Sequence, residues 1–287
     1  VATSTPLTNQ VDLLLSQCHE QLGEFDEQLA ASRRVLSDDH ESLAARTGAA
    51  AALAATGRPD EAAAEYEAIA AGMPPDRLAA TPQVWQPLLQ LRVGQQMKRP
   101  AADRDWTRTD ALLDVLEQSP AVSSTQMALL KSDALLRKGD TAAAQRLLQS
   151  QIEIDPRSPQ LTAALVLLSL RAQDPAAARR LLEAAPAEVA DSPIVMMAAA
   201  QVATRLPAEE SAASFAAIER RAAELSNEQA GQLLTSLGSI KRGTGDLAEA
   251  ERLWNAALAA RPDDIQIIAA LQELARATSP RSRRPSP

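Results

Sequence analysis

Aromatic residues are almost missing from this chain of 287 residues: three Trp, two Phe and one Tyr, 2% in all. The 46% hydrophobic fraction therefore rests on small side chains, and alanine supplies much of it. Small residues let helices pack closely, and alanine is the best intrinsic helix former. A single cysteine, Cys18, excludes an intrachain disulfide and leaves the compartment open. No apolar run reaches the roughly 18 residues that a spanning helix needs, so no membrane insertion is expected. Alternation of Val, Ile and Thr is missing too, so strands are not expected.

The chemistry of catalysis is equally scarce. His19-Glu20 would open a zinc-hydrolase helix only with a second histidine four residues after the first, and that position is Gly23. Cys18 and His19 are neighbours about 100° apart on a helix, which keeps them from sharing one metal. His40 follows Asp38-Asp39 and reads as helix punctuation. Neither a G-x-S-x-G elbow nor a phosphate loop is present. These readings imply no catalytic residue, no metal and no cofactor. The net charge of −8 and pI near 5.0 argue against a nucleic-acid partner, which calls for clustered Lys and Arg. Val1-Ala2-Thr3-Ser4 shows no initiator Met and no signal peptide, so a fragment or processed product is expected. The Ala, Arg and Pro usage points to a GC-rich bacterium, with the cytoplasm ahead of the periplasm.

What is present is a recurring frame. Its fullest copy is Leu234-x2-Leu237-Gly238-x2-Lys241, then Gly245-Asp246, Ala250-x3-Trp254 and Pro262. Gly57, Ala62, Tyr66 and Pro74 repeat its second half, as do Gly139, Ala144, Leu148 and Pro156. A step of 34 residues from Gly139 reaches Gln173, followed by Ala178 and Leu182. The same step back from Gly57 reaches Gly23. This pattern resembles the tetratricopeptide repeat, a helix–turn–helix unit of about 34 residues. In that frame Leu237 and Gly238 allow a close approach to the first helix, Ala250 is the small residue where the second helix crosses it, and Trp254 fills the gap beneath. Gly245 makes the turn and Pro262 stops the second helix.

The resemblance implies an all-α, right-handed α-solenoid of about seven such hairpins with a C-terminal capping helix. Residues 1–8 are expected to fray. Repeats are expected near 9–42, 43–76, 82–124, 125–158, 159–192, 193–230 and 231–262, with the cap at 263–277 and a disordered Ser/Pro/Arg tail at 278–287. The third repeat is expanded. It holds an extra stretch at 76–81, a helix from 82 to about 97 that Pro87 should kink, and a long polar connection. On the last helix, Ile265, Ile268, Leu271 and Leu274 are expected to form one apolar stripe. Arg281, Arg283 and Arg284 of the tail are expected to be a floppy terminus.

The family's ligands lie along the first helices of the repeats. That implies a peptide-binding groove lined by Leu129, Asp133, Leu136 and Arg137, by Ala163, Leu167 and Arg171, by Met197, Gln201 and Arg205, and by Thr235, Ser239 and Arg242. The Lys and Asn with which the family's chaperone-binding branch clamps a C-terminal carboxylate are absent there. The middle of the groove is apolar, and Arg137, Arg171, Arg205 and Arg242 form a basic edge. An acidic, partly apolar protein or peptide segment suits it, and a monomer is expected. The function expected is a non-catalytic scaffold or adaptor. A self-assembling structural spacer and a periplasmic module of a secretion or exopolysaccharide system are its rivals. The register is open to test: Ala250→Phe should overpack the helix crossing and lower stability by about 1–3 kcal/mol, read from thermal melting.

Overall fold

A computed structural model describes residues 5–278. Among the described residues there are seventeen α-helices, one 3-10 turn and no strand, so the fold is an all-α helical repeat. The chain divides into two compact units, residues 1–139 and 140–287.

The first unit holds α1 (Thr5–Leu22), α2 (Phe25–Asp38), α3 (Leu43–Ala55), α4 (Pro59–Ala71), α5 (Pro75–Ala79), α6 (Pro82–Met97), α7 (Thr107–Glu117) and α8 (Ser124–Lys138). From α1 to α4 each helix packs on the next, α4 then packs on α6, and α7 joins α6 to α8. The second unit holds α9 (Thr141–Ile154), α10 (Pro159–Arg171), α11 (Pro175–Ala184), α12 (Ala187–Ala190), α13 (Pro193–Ala203), α14 (Ala208–Ala222), α15 (Asn227–Gly243), α16 (Leu247–Ala260) and α17 (Ile265–Thr278). Here α10 packs on α13, α13 on α14 and α15, and α16 on both α15 and α17.

The turns show why the frame recurs. Gly23, Gly57, Gly139 and Gly245 all have positive φ, between 75° and 90°. At Gly23, Gly57 and Gly245 the turn residue donates its N–H to the carbonyl three residues back, and its successor donates to the carbonyl five residues back. Both orphan carbonyls of the helix end are thereby satisfied. Gln173 closes the same pair of bonds, to Leu170 and Ser169, at φ 60°. Among the described residues it is the one non-glycine forced into this left-handed region.

The crossings follow the frame as well. Ala62, Ala144, Ala178 and Ala250 are all fully buried. A Cβ at Gly238 would stand 2.5 Å from the Trp254 indole nitrogen, so α15 and α16 meet closely only because that side chain is missing. Trp254 is 1% exposed, and its Nε1–H donates to the Thr235 carbonyl at 3.0 Å.

The structure corrects several expectations. Residues 5–8 belong to α1; positions 1–4 lie outside the described residues. The extra stretch after α4 is largely helical. There α5 seats on Trp85, 1% exposed, whose Nε1–H donates to the Ala79 carbonyl at 3.2 Å. Helix α6 continues through Pro87. The short helix α12 was not anticipated. α14 ends at Ala222 rather than near Leu225, and α15 begins at Asn227, four residues before Gly231, because Ser226 caps it by accepting from the Gln229 N–H.

On α17 Ile267 and Leu274 are buried and Ala270 and Leu271 partly buried on the same face, while Ile265 is 79% exposed and Ile268 37%. Three residues turn a helix through only about 300°, so a chain of such steps drifts, and Ile265 ends about half a turn from Leu274. Spacing of i, i+3, i+4, i+7 holds one face. The expected Arg-rich tail, 279–287, lies outside the described residues.

The left-handed strain at Gln173 is open to measurement. A side chain in this region costs roughly 1–2 kcal/mol, partly offset by the greater unfolded-state freedom of glycine. Gln173→Gly should raise stability by about 0.5–1 kcal/mol in chemical denaturation; a lower denaturation midpoint would contradict this account.

Candidate protein-binding surfaces

The expected groove residues fall into both units. On α8, Leu129 and Leu136 are half-buried, whereas Asp133 and Arg137 are exposed and paired with each other at 3.4 Å. Asp133 and Arg137 line a cleft of about 380 Å³ whose opposite wall is α6: Gln86, Leu89, Gln90, Val93 and Met97. That wall was not read from the sequence. The expected groove left out the expanded third repeat, where Met97 is 41% exposed at the end of α6.

In the second unit the candidates diverge. Leu167 on α10 is 43% exposed, and Ile194 on the adjoining α13 is 44% exposed. Met197 and Gln201 on α13 are half-buried. Arg171 and Arg205 are exposed and together line a cleft of about 380 Å³ with Leu170, Gln173 and Pro175. Neither arginine has an ion-pair partner among the described residues. Ala163, in contrast, is buried in the core with Val166, Val195 and Ala198, so it presents nothing to a ligand.

The α15 positions are largely engaged at home. The Thr235 and Ser239 hydroxyls donate to the Gly231 and Thr235 carbonyls at 2.8 and 3.1 Å. Arg242 lies over the Trp254 ring at 5.4 Å and reaches Glu273 at 3.6 Å. Of the three basic residues placed in this unit, Arg171 and Arg205 share a cleft, while Arg242 is held by its own neighbours.

A larger cleft, about 630 Å³, opens between α14, α15 and α16. Most of its charges are compensated internally, and Arg220 has no ion-pair partner among the described residues. Lys241 stands 4.1 Å over the Phe215 ring, and Arg252 bridges Glu219 at 2.7 Å and Glu249 at 2.6 Å. The hydrogen bond from Arg252 holds the Glu249 carboxyl below the usual carboxylate range. Arg252 is itself pushed above its ordinary value, first by Glu249 and then by Glu219.

Residues with site-forming chemistry do not converge. His19 Nδ1 bonds Glu24 at 2.7 Å, and Cys18 is exposed. Among the described residues no group of three or more His, Cys, Asp or Glu is placed to hold a metal, and no helix is long and apolar enough to cross a membrane.

What these surfaces share is their setting: helices in hairpins, turned by left-handed residues and closed on buried alanines. That setting defines a helical-repeat protein. A tetratricopeptide-repeat family model matches residues 135–202. The chain is similar to a tetratricopeptide repeat protein of Parabacteroides merdae, at 14% identity over 94% of this chain and 86% of that one, with a TM-score of 0.51. It is also similar to a thermophilic protein of this kind from Thermus thermophilus, at 15% identity over 93% and 98% of the two chains, with a TM-score of 0.38. At 14% identity the first of these likenesses concerns the fold alone. No match is found among curated proteins. The family match is to residues 135–202, and the likeness over the rest of the chain is one of fold.

The Arg252 cluster predicts a pH dependence. Because the folded-state carboxyl of Glu249 is the stronger acid, its stabilisation is present above the ordinary carboxyl value of 4.5 and is lost as pH falls through the lower folded value. The exposed pair should contribute under about 1 kcal/mol. Arg252→Gln should melt below the wild type at neutral pH, and that gap should close on acidification to about pH 3.

Proposed function

We propose that the chain is a non-catalytic scaffold that holds a protein segment on the face formed by α10 and α13. One observation carries this reading: Leu167 and Ile194 stay exposed on two helices that pack against each other, and Arg171 and Arg205, whose charges are uncompensated, line a cleft at the C-terminal ends of those helices. Large apolar side chains left in water next to unpaired cations favour an occupant with apolar and acidic groups, the first for burial and the second for orientation. An acidic amphipathic helix or extended segment has both. Met197 and Gln201 extend the face along α13. The α6–α8 cleft around Asp133 and Arg137 is a second seat in the first unit, with Leu129 and Leu136 behind it.

The rival reading, self-assembly, also has an observation in its favour. Helix α1 exposes Leu7, Val11, Leu14 and Leu22, from 49% to 71%. A stripe of that kind is a candidate contact between copies.

Peptides selected on the full-length chain from a displayed random library separate the two. The docking reading expects acidic and apolar residues among them. It also expects Leu167→Asp or Met197→Asp to weaken their binding at least about tenfold, one buried anchor's worth, with helicity by circular dichroism unchanged. Undiminished binding by both variants would remove this face from consideration. Concentration-dependent association in sedimentation that survives those substitutions would favour the α1 stripe.

A further inference from the structure

Helix α1 is built inside out. Of its described side chains, Asp12 and Ser16 are the two that are buried, while Leu7, Val11, Leu14, Leu15 and Leu22 stand 40% to 71% exposed. At about 100° per residue these five and the exposed Cys18 form one stripe along the outer face. The polar face is the one held against α2. Asp12 accepts from Arg34 Nε and Nη2 at 2.8 and 2.6 Å, and Ser16 Oγ pairs with Ser32 Oγ at 2.9 Å. The last described helix, α17, by contrast buries Ile267 and Leu274. A buried carboxylate is costly without its partner, so these pairs fix the way α1 faces and leave its stripe in water. That exposure runs along a whole helix and opposes the hydrophobic effect at every turn of it.

Charge and spacing together indicate what covers the stripe. Helix α1 has no Lys or Arg, and no charged residue falls within a quarter turn of Cys18; the polar neighbours there are Thr8, Gln10 and Gln21. A partner that docks through ion pairs finds none, and neither do anionic lipid headgroups. The stripe positions 7, 11, 14, 15, 18 and 22 are spaced 4, 3, 1, 3, 4, the same in either direction. Turned end for end, the stripe falls on itself: Leu7 opposite Leu22, Val11 opposite Cys18, Leu14 opposite Leu15. A surface that is its own complement under a two-fold rotation is what an isologous contact needs, and helix dipoles favour the antiparallel direction. Elsewhere among the described residues exposed large apolar side chains come singly or in twos, so no other surface of the chain matches this one in length.

We propose that α1 pairs antiparallel with α1 of a second copy of this chain, the two-fold axis passing between Leu14 and Leu15. The 18 residues of α1 make a rod about 27 Å long and about 10 Å wide. Its footprint is well under the roughly 800 Å² per partner of a stable interface, so the pair is reversible and forms with rising concentration. The contact gives the self-assembly described above a defined geometry. It lies in the first unit and the α10–α13 face in the second, and either can fail without the other.

The test uses the full chain. Sedimentation from about 1 μM to about 1 mM, the range of weak affinities, should show a monomer giving way to a dimer and nothing larger. Leu14→Glu, at an exposed position and with helicity by circular dichroism unchanged, should raise the dimer dissociation constant at least about tenfold, because it sets like charges together at the axis. Cross-linking reads the direction. In the antiparallel pair the two Cys18 side chains are seven residues apart along the axis, about 10 Å, too far for a disulfide. Val11→Cys sets a thiol opposite Cys18 of the other copy. Under oxidant, Val11→Cys should therefore form a disulfide dimer and the unaltered chain should not. A monomer throughout, a dimer untouched by Leu14→Glu, or no disulfide in folded Val11→Cys would overturn the proposal. So would a disulfide between unaltered chains, which would mean parallel pairing, or growth beyond the dimer that Ile265→Asp stops, which would mean α1 on α17. Uptake by phosphatidylcholine vesicles that Leu14→Glu abolishes would overturn it as well, in favour of a lipid surface. Sedimentation of the unaltered chain and of Leu14→Glu decides the matter even if Val11→Cys does not fold.

Discussion

Two helices close to the distance between α15 and α16 only where one of them gives up its side chain. Gly238 does so beneath Trp254, and Ala250 keeps the partner helix thin at the crossing. Deprived of that closeness, the indole would lose both its enclosure and its hydrogen bond to the Thr235 carbonyl. The same economy explains a chain with so few aromatic residues. At its hairpin crossings an alanine at 0% exposure stands one turn from a large buried side chain: Ala62 with Tyr66, Ala144 with Leu148, Ala250 with Trp254. Dense packing of small groups replaces bulk.

The turns obey a matching constraint. A hairpin of this kind needs a left-handed residue one step past its first helix, and the bonds around it satisfy the helix-end carbonyls. Gln173 shows that position to be dictated by the hairpin rather than by the residue, because the backbone takes the left-handed form there despite a side chain. The expanded third hairpin solves a different problem. Its extra segment becomes α5, which supplies the carbonyl that Trp85 needs in order to be buried.

Function follows from what such packing leaves over. Regular crossings bury their polar atoms in pairs or use none. The exceptions are therefore informative: Leu167 and Ile194 left in water on α10 and α13, Arg171 and Arg205 beside one cleft, and the unpaired carboxamide of Gln28 in the first hairpin. In each case a neighbour that would satisfy the group is missing from the described residues.

The helices, their turns and the buried alanines were legible in the linear pattern, because each depends on residues within one hairpin, about 34 positions long. Gly238, Ala250 and Trp254 announce their roles by spacing alone. The exposure of the groove candidates was not legible in this way. Ala163 and Leu167 stand one turn apart on the same helix, yet one is core and the other open, a difference set by α11 and α13 packing over the first. Thr235, Ser239 and Arg242 were drawn home by bonds to their own helix, to Trp254 and to α17. The wall of α6 facing Asp133 exists only once α6 and α8, separated in sequence by α7, are brought together. Local pattern fixes which face a helix can bury; what actually covers that face is decided by neighbours distant in sequence, and only the tertiary structure brings them together.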